Sequence, residues 1–117
     1  MNTVENREAI VATSAQYIPL CPADALAPGE MSRFDPAGMD PIVLCNYQGD
    51  YYALEDECTH AIASMAEGEF VEDQLVCPVH GGRFCVTTGA ATKLPCRQAL
   101  KTWPISIVDG VVCLQID

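Results

Sequence analysis

Basic residues are scarce in this chain: six lysines and arginines stand against 16 aspartates and glutamates, for a net charge of −10 at pH 7. That deficit argues against a nucleic-acid ligand or an anionic membrane as partner, since both call for a positive face. No apolar run approaches the length of a membrane span. The opening Met1-Asn2-Thr3-Val4-Glu5-Asn6-Arg7 has no basic region leading into an apolar stretch, so a soluble cytoplasmic protein is expected. There is no Gly-x-Ser-x-Gly and no phosphate-binding glycine loop, which removes a hydrolase nucleophile and a nucleotide site. No long segment carries helical periodicity, so the expected class is mostly β. Histidine is rarer still, with only His60 and His80 in 117 residues.

Each histidine follows a cysteine closely. The two pairs are Cys58-Thr59-His60 and Cys77-Pro78-Val79-His80, separated by the sixteen residues from Ala61 to Val76. One or two intervening residues let a tight loop turn a thiolate and an imidazole toward one point, so each loop supplies half a site. Cys58, His60, Cys77 and His80 are therefore the candidate metal ligands. Two thiolates and two imidazoles suit a zinc ion, or a [2Fe-2S] cluster with both histidines on one iron and both cysteines on the other. Finger-type zinc sites pair Cys with Cys and His with His, whereas the mixed pairing here favours the cluster. A nucleophilic Cys77 with His80 as its base would leave Cys58 and His60 unexplained.

These residues resemble the Rieske family, whose pattern is C-x-H, a gap of this length, then C-x-x-H. The similarity continues through Gly81-Gly82-Arg83-Phe84, Thr88-Gly89, Lys93-Leu94-Pro95 and Trp103-Pro104. It is greatest to the small ferredoxins of multicomponent aromatic-ring dioxygenases and spans roughly Tyr17 to the C-terminus. The resemblance implies an all-β fold, a Rieske-like antiparallel sandwich or barrel with two cluster-binding loops at one tip. It implies a Rieske-type [2Fe-2S] cofactor, with His60 and His80 also forming the electron-transfer surface. As partners it implies a flavin-dependent, NAD(P)H-oxidising reductase and a terminal ring-hydroxylating oxygenase in aromatic-hydrocarbon catabolism. The chain itself, expected to be a monomer, would transform no substrate. Two other readings are a Rieske-like small subunit of assimilatory nitrite reductase and a structural zinc module that mediates protein contacts.

High-potential members of the family look different: each ligand loop has an extra cysteine, a serine follows the last histidine, and a tyrosine lies two residues further on. Here Ala63 and Val79 replace the cysteines, while Gly82 and Phe84 replace the serine and tyrosine. Fewer hydroxyl donors leave a more negative, reduced centre less stabilised, so a low potential, on the order of −150 mV, is expected. Gly81 and Gly82 are expected to adopt conformations that other residues avoid and to turn backbone amides toward the sulfides. Lys93-Leu94-Pro95 resembles the segment that covers the cluster from the side in relatives.

The remaining cysteines are Cys21, Cys45, Cys85, Cys96 and Cys113. Their odd total with the two ligands, and the missing leader, argue against a disulfide scaffold. Cys45 and Cys113 lie in apolar strand-like runs and read as small buried hydrophobes; Cys85 and Cys96 receive no chemistry. From Asp50 to Asp73 there are eight acids and no base, so the first ligand loop should sit in a negative field, either a solvated face or a docking surface for basic partners.

In chain order, residues 1–14 read as a flexible extension and 15–117 as one domain. Gln16-Tyr17-Ile18-Pro19-Leu20 reads as an edge strand because of its proline, Pro22 to Leu26 as one helical turn, and Met31 to Asp35 as a strand. Hairpins are expected over 41–54 about Gln48-Gly49-Asp50, over 69–76 about Glu72-Asp73, and over 105–114 about Asp109-Gly110. The second of these should bring the two ligand loops together. Tyr47, Tyr51 and Tyr52 are expected to pack against the sheet.

Overall fold

The structure is a computed structural model and describes residues 16–116; the expected extension over 1–14 lies outside them. Among these residues eleven strands form three antiparallel sheets. The first has the order β1 (Gln16–Pro22), β11 (Val111–Ile116), β10 (Ile105–Val108). In the second, β2 (Met31–Phe34) is followed by β3 (Ile42–Tyr47), β4 (Asp50–Glu55) and β9 (Thr102–Trp103). The third runs β5 (Glu69–Val71), β6 (Gln74–Val76), β7 (Arg83–Cys85), β8 (Ala91–Lys93). Among the described residues one 3-10 turn accompanies the strands, over Met65–Glu67. The all-β class expected from the missing helical periodicity is what the chain adopts.

Local chemistry accounts for the strand boundaries. Pro19 lies in β1, an edge strand, and the register against β11 slips between Pro19 and Cys21, so the missing amide falls at an irregularity rather than in a regular ladder. All three expected hairpins form. Tyr47 pairs with Asp50, so the first turn contains only Gln48 and Gly49 and is one residue tighter than expected. Both residues have positive φ, 55° and 96°, which gives a two-residue turn whose twist matches the strands. Pro22 to Leu26 forms no helical turn: a hydrogen bond from Ala25 N to Pro22 O closes a single β-turn instead. Pro104 separates β9, which pairs with β4, from β10, which pairs with β11, so the chain changes sheets there.

Strand β3 lies between two cores. Every residue from Ile42 to Asn46 is buried, and the side chains alternate. Ile42 and Leu44 face a core with Ala53, Val112 and Leu114, while Val43 and Cys45 face another with Leu54, Met65, Leu75, Phe84 and Val86. Cys45 and Cys113 are buried as expected, and burial pushes the Cys45 thiol up to about 12, with the Asp56 charge adding to it. Tyr47 and Tyr52 pack against the second of these cores. Tyr51 packs against the other and donates its hydroxyl to Ala23 O at 2.7 Å. All three tyrosines therefore serve packing. Cys58, Cys77 and Cys96 belong to the same core as Leu75 and Phe84, so the candidate site is one end of the hydrophobic interior.

Candidate metal centre

Strand β4 carries the chain into the first ligand loop, and the β6–β7 connection is the second. Cys58 N donates to Ala63 O at 2.9 Å, and Cys77 N donates to Gly82 O at 2.8 Å. In each loop the cysteine amide thus bonds a carbonyl five residues on, although the spacings C-x-H and C-x-x-H differ. That likeness is invisible in the spacing, because it depends on where each loop closes rather than on where its histidine falls.

The two loops sort their side chains in the same way. Cys58 and Cys77 are buried, with 4% and 2% exposure, whereas His60 and His80 are exposed. The imidazoles lie side by side, ring centroids 5.5 Å apart and planes at 70°. Burial acts to raise the Cys58 thiol, but it is outweighed by the amides of His60 and Ala61 and by the Cys77 and Cys96 sulfurs, so Cys58 is held low. Cys77 is raised, first by burial and then by the neighbouring Cys58, against the opposing amides of Val79 and His80.

The chemistry of this donor set can be tested against the two groups that suit it. A zinc ion in a structural site needs four ligands about one point, yet among the described residues no three His, Cys, Asp or Glu side chains are grouped to hold one ion. A Rieske-type [2Fe-2S] cluster needs only two protein ligands per iron, two cysteines on one and two histidines on the other. Two neighbouring buried thiols beneath two neighbouring exposed imidazoles fit that second requirement.

Amides of residues within the ligand loops point at the cysteine sulfurs; His60 N to Cys58 Sγ is 3.4 Å. The glycines meet the expectation only in part. Gly81 has φ +74°, but its amide is engaged by Cys77 O at 3.1 Å. Gly82 has no positive φ. Its role is close approach, because a Cβ there would lie 2.3 Å from Cys96 Sγ.

A third segment closes the site. Leu94 and Pro95 line a hollow with Thr59 and His60, and Thr59 Oγ1 donates to Gln98 O at 2.6 Å. Cys96, which carries no assigned chemistry in the sequence reading, is 3% exposed with its Sγ 3.7 Å from Cys58 Sγ. Burial and the hydrogen bond with Cys58 push its thiol up to about 12. The only sequence signal for it was its position just after Lys93-Leu94-Pro95. Cys85 lies instead beside Thr87, 3.2 Å from its hydroxyl.

One of the eight acids is not part of a solvated face. Asp56 is 3% exposed and accepts Ser64 Oγ at 2.6 Å and Ala66 N at 3.0 Å, while its own carbonyl accepts Met65 N at 2.7 Å. It therefore pins the exit of the first ligand loop onto β4, with Arg33 Nε 3.7 Å from its carboxylate. Asp56→Ala should leave the Ala66 amide and Ser64 hydroxyl without their partner and cost about 1–3 kcal/mol. Thermal denaturation of the loaded protein, with iron and sulfide content measured on the same sample, checks this; an unchanged midpoint would contradict it.

The description of a Rieske [2Fe-2S] domain matches residues 16–104. The chain is 37% identical over 98 residues to the ferredoxin component of biphenyl 2,3-dioxygenase from Rhodococcus jostii RHA1, covering 84% of this chain and 91% of that one. Among solved structures it is similar to the Sphingomonas yanoikuyae B1 ferredoxin, with TM-score 0.83, 31% identity and coverage of 87% of this chain and 100% of that one. It is also similar to a chain in the complex of reduced oxygenase and oxidised ferredoxin of carbazole 1,9a-dioxygenase, with TM-score 0.81, 35% identity and coverage of 84% and 91%.

Proposed function

This chain belongs to the Rieske [2Fe-2S] domain family, and from that premise we propose that it is the ferredoxin component of an aromatic-ring-hydroxylating dioxygenase system. It carries single electrons from a flavin-dependent, NAD(P)H-oxidising reductase to a terminal oxygenase and works as a soluble cytoplasmic monomer. The observation that carries this reading is the separation of the buried Cys58 and Cys77 from the exposed, adjacent His60 and His80. When bound, a [2Fe-2S] centre of this ligation accepts and gives up one electron at a time.

The protein's contribution is placement. Cys58 and Cys77 would hold the cluster from the buried side, and the loop amides directed at their sulfurs would offset negative charge there. His60 and His80 would hold it at the exposed side, where an acceptor can approach closely. Ile62, Val79 and Leu94 are exposed in the same three segments, with Ile62 at 94%. They give the tip an apolar rim with little to desolvate, as suits a contact that must form and separate repeatedly. Beyond this rim Glu57, Glu67, Glu69 and Glu72 are exposed, so long-range attraction to a basic partner should supplement the contact.

Anaerobic voltammetry tests the reading together with turnover. A one-electron couple on the order of −150 mV is expected, because Gly82 offers no hydroxyl and Phe84 is an apolar core residue. With a dioxygenase reductase and oxygenase supplied, NAD(P)H oxidation should depend on this protein and slow as salt is raised from about 10 mM to several hundred millimolar, where surface charges are screened. A couple several hundred millivolts higher, or zinc without acid-labile sulfide in the purified protein, would overturn it.

A further inference from the structure

The backbones of the two ligand loops are alike, but their sulfurs are not equally surrounded. Each ligand cysteine has amides of its own loop directed at it. Among the described residues, only Cys58 has in addition a hydrogen-bonding side chain from outside the loops, the Cys96 thiol with Sγ 3.7 Å away, and either sulfur can be the donor. Cys96 is held there from both sides of the chain: Pro95 packs in the hollow beside His60, and Gln98 O is bonded to Thr59. The room for its thiol is made by Gly82, whose missing Cβ would lie 2.3 Å from that sulfur and 3.1 Å from Cys96 Cβ. Position 82 is also where a serine would follow the last histidine. Space that a residue-82 side chain would claim is thus filled by a thiol from the proline segment.

We propose that Cys96 is a positioning residue of the centre, whose thiol donates a hydrogen bond to Cys58 Sγ and, in place of a hydroxyl at position 82, raises the reduction potential. The proposal rests on the assignment of Cys58 as a ligand. The direction follows from charge. One-electron reduction puts more negative charge on the ligand sulfurs, a hydrogen bond to a more negative acceptor is stronger, and the donor therefore favours the reduced form. No proton changes hands. A low-potential centre built without hydroxyl donors thus retains one weak, water-excluded donor, which keeps its potential above that of the same site with an apolar residue at 96.

The test compares Cys96→Ala, Cys96→Ser and the double variant Gly82→Ser/Cys96→Ala, each loaded with cluster and measured by anaerobic voltammetry. Cys96→Ala should lower the one-electron reduction constant about tenfold, or about 59 mV. Cys96→Ser should recover part of that shift, and so should the double variant, which places a hydroxyl where the thiol was: Gly82 is not among the positive-φ glycines, and the 3.1 Å approaches of a Cβ there to residue 96 Cβ and N require that segment to give by a few tenths of an ångström. Resonance Raman provides a second readout: an Fe–S(Cys) band that shifts on H/D exchange in the parent should lose part of that shift in Cys96→Ala. An unchanged potential in Cys96→Ala with full iron and sulfide content would reduce Cys96 to packing and overturn the proposal. If Cys96→Ala binds no cluster, the comparison of the double variant with the parent decides, and a potential below the parent there overturns the rescue. A Cys58→Ala protein that still binds a cluster would instead refute the ligand assignment, a failure distinct from either.

Discussion

Cys77→Ala protein is expected to emerge from anaerobic purification with no [2Fe-2S] centre, no visible chromophore and no capacity to pass electrons to an oxygenase. The side chain is 2% exposed at the base of the second ligand loop, and neither neighbour can replace it. Val79 has no donor atom, and Cys96 belongs to the proline segment rather than to a ligand loop, with its thiol already engaged by Cys58 Sγ. The control is Cys45→Ser. That thiol is equally buried, but it lies in the middle of β3 opposite Met31 and Tyr52, on a strand rather than in either ligand loop. Its substitution should leave the cluster in place and cost roughly 1–3 kcal/mol for a hydroxyl without an assured partner. Iron and sulfide analysis distinguishes the two. A cluster in Cys77→Ala, or none in Cys45→Ser, would invalidate the division of the cysteines into ligands and packing groups. His60→Cys is the graded version of the same experiment. Thiolate-only centres lie about 250 mV below the low end of Rieske centres, so one His-to-Cys exchange should lower the couple by on the order of 100 mV.

The sequence made the candidate ligands legible because their chemistry is local. Two histidines, each within three residues of a cysteine, name their own neighbours, and Glu72-Asp73 between two β-rich triplets shows how the chain returns. Hairpin turns are legible for the same reason: Gln48-Gly49 and Asp109-Gly110 carry their backbone preference within two residues. What the sequence hid depends on long-range proximity. Asp56 reads as one acid among eight, and only the fold shows that Ser64 and Ala66 turn back onto it. Gly82 reads as a flexible residue, yet its requirement is set by Cys96, fourteen positions on in the chain. The helical turn expected at 22–26 gives way to a β-turn, because Pro22 and Ala25 suit a helix start as well as an isolated β-turn. What decides between them is Tyr51, whose hydroxyl donates to Ala23 O at 2.7 Å and lies against this segment from a distant strand.

Stripping the cluster should loosen the tip far more than the rest of the protein. Among the described residues no backbone hydrogen bond joins the 58–63 loop to the 77–82 loop; each is closed on itself. The proline segment is tied to the first loop by Thr59 to Gln98 and by the sulfur contact of Cys96 with Cys58. A group ligated by Cys58, His60, Cys77 and His80 would therefore be the main link between the two loops, and its binding energy would be expressed as local order. Without it, the neighbouring buried thiols and the apolar rim have little to hold them in register. The core of Ile42, Leu44, Ala53, Val112 and Leu114 lies on the other face of β3 and includes no ligand, so it should survive. In hydrogen exchange, the amides of Cys58 and Cys77 should exchange roughly 100-fold faster in the stripped protein, equivalent to about 3 kcal/mol of lost local stability. The amides of Leu44 and Leu114 should change little. Equal loss of protection at all four would mean that the tip and the sandwich unfold as one unit, and no change at Cys58 and Cys77 would mean that the loops hold their form unaided. Either result would contradict a site whose order comes mainly from what it binds.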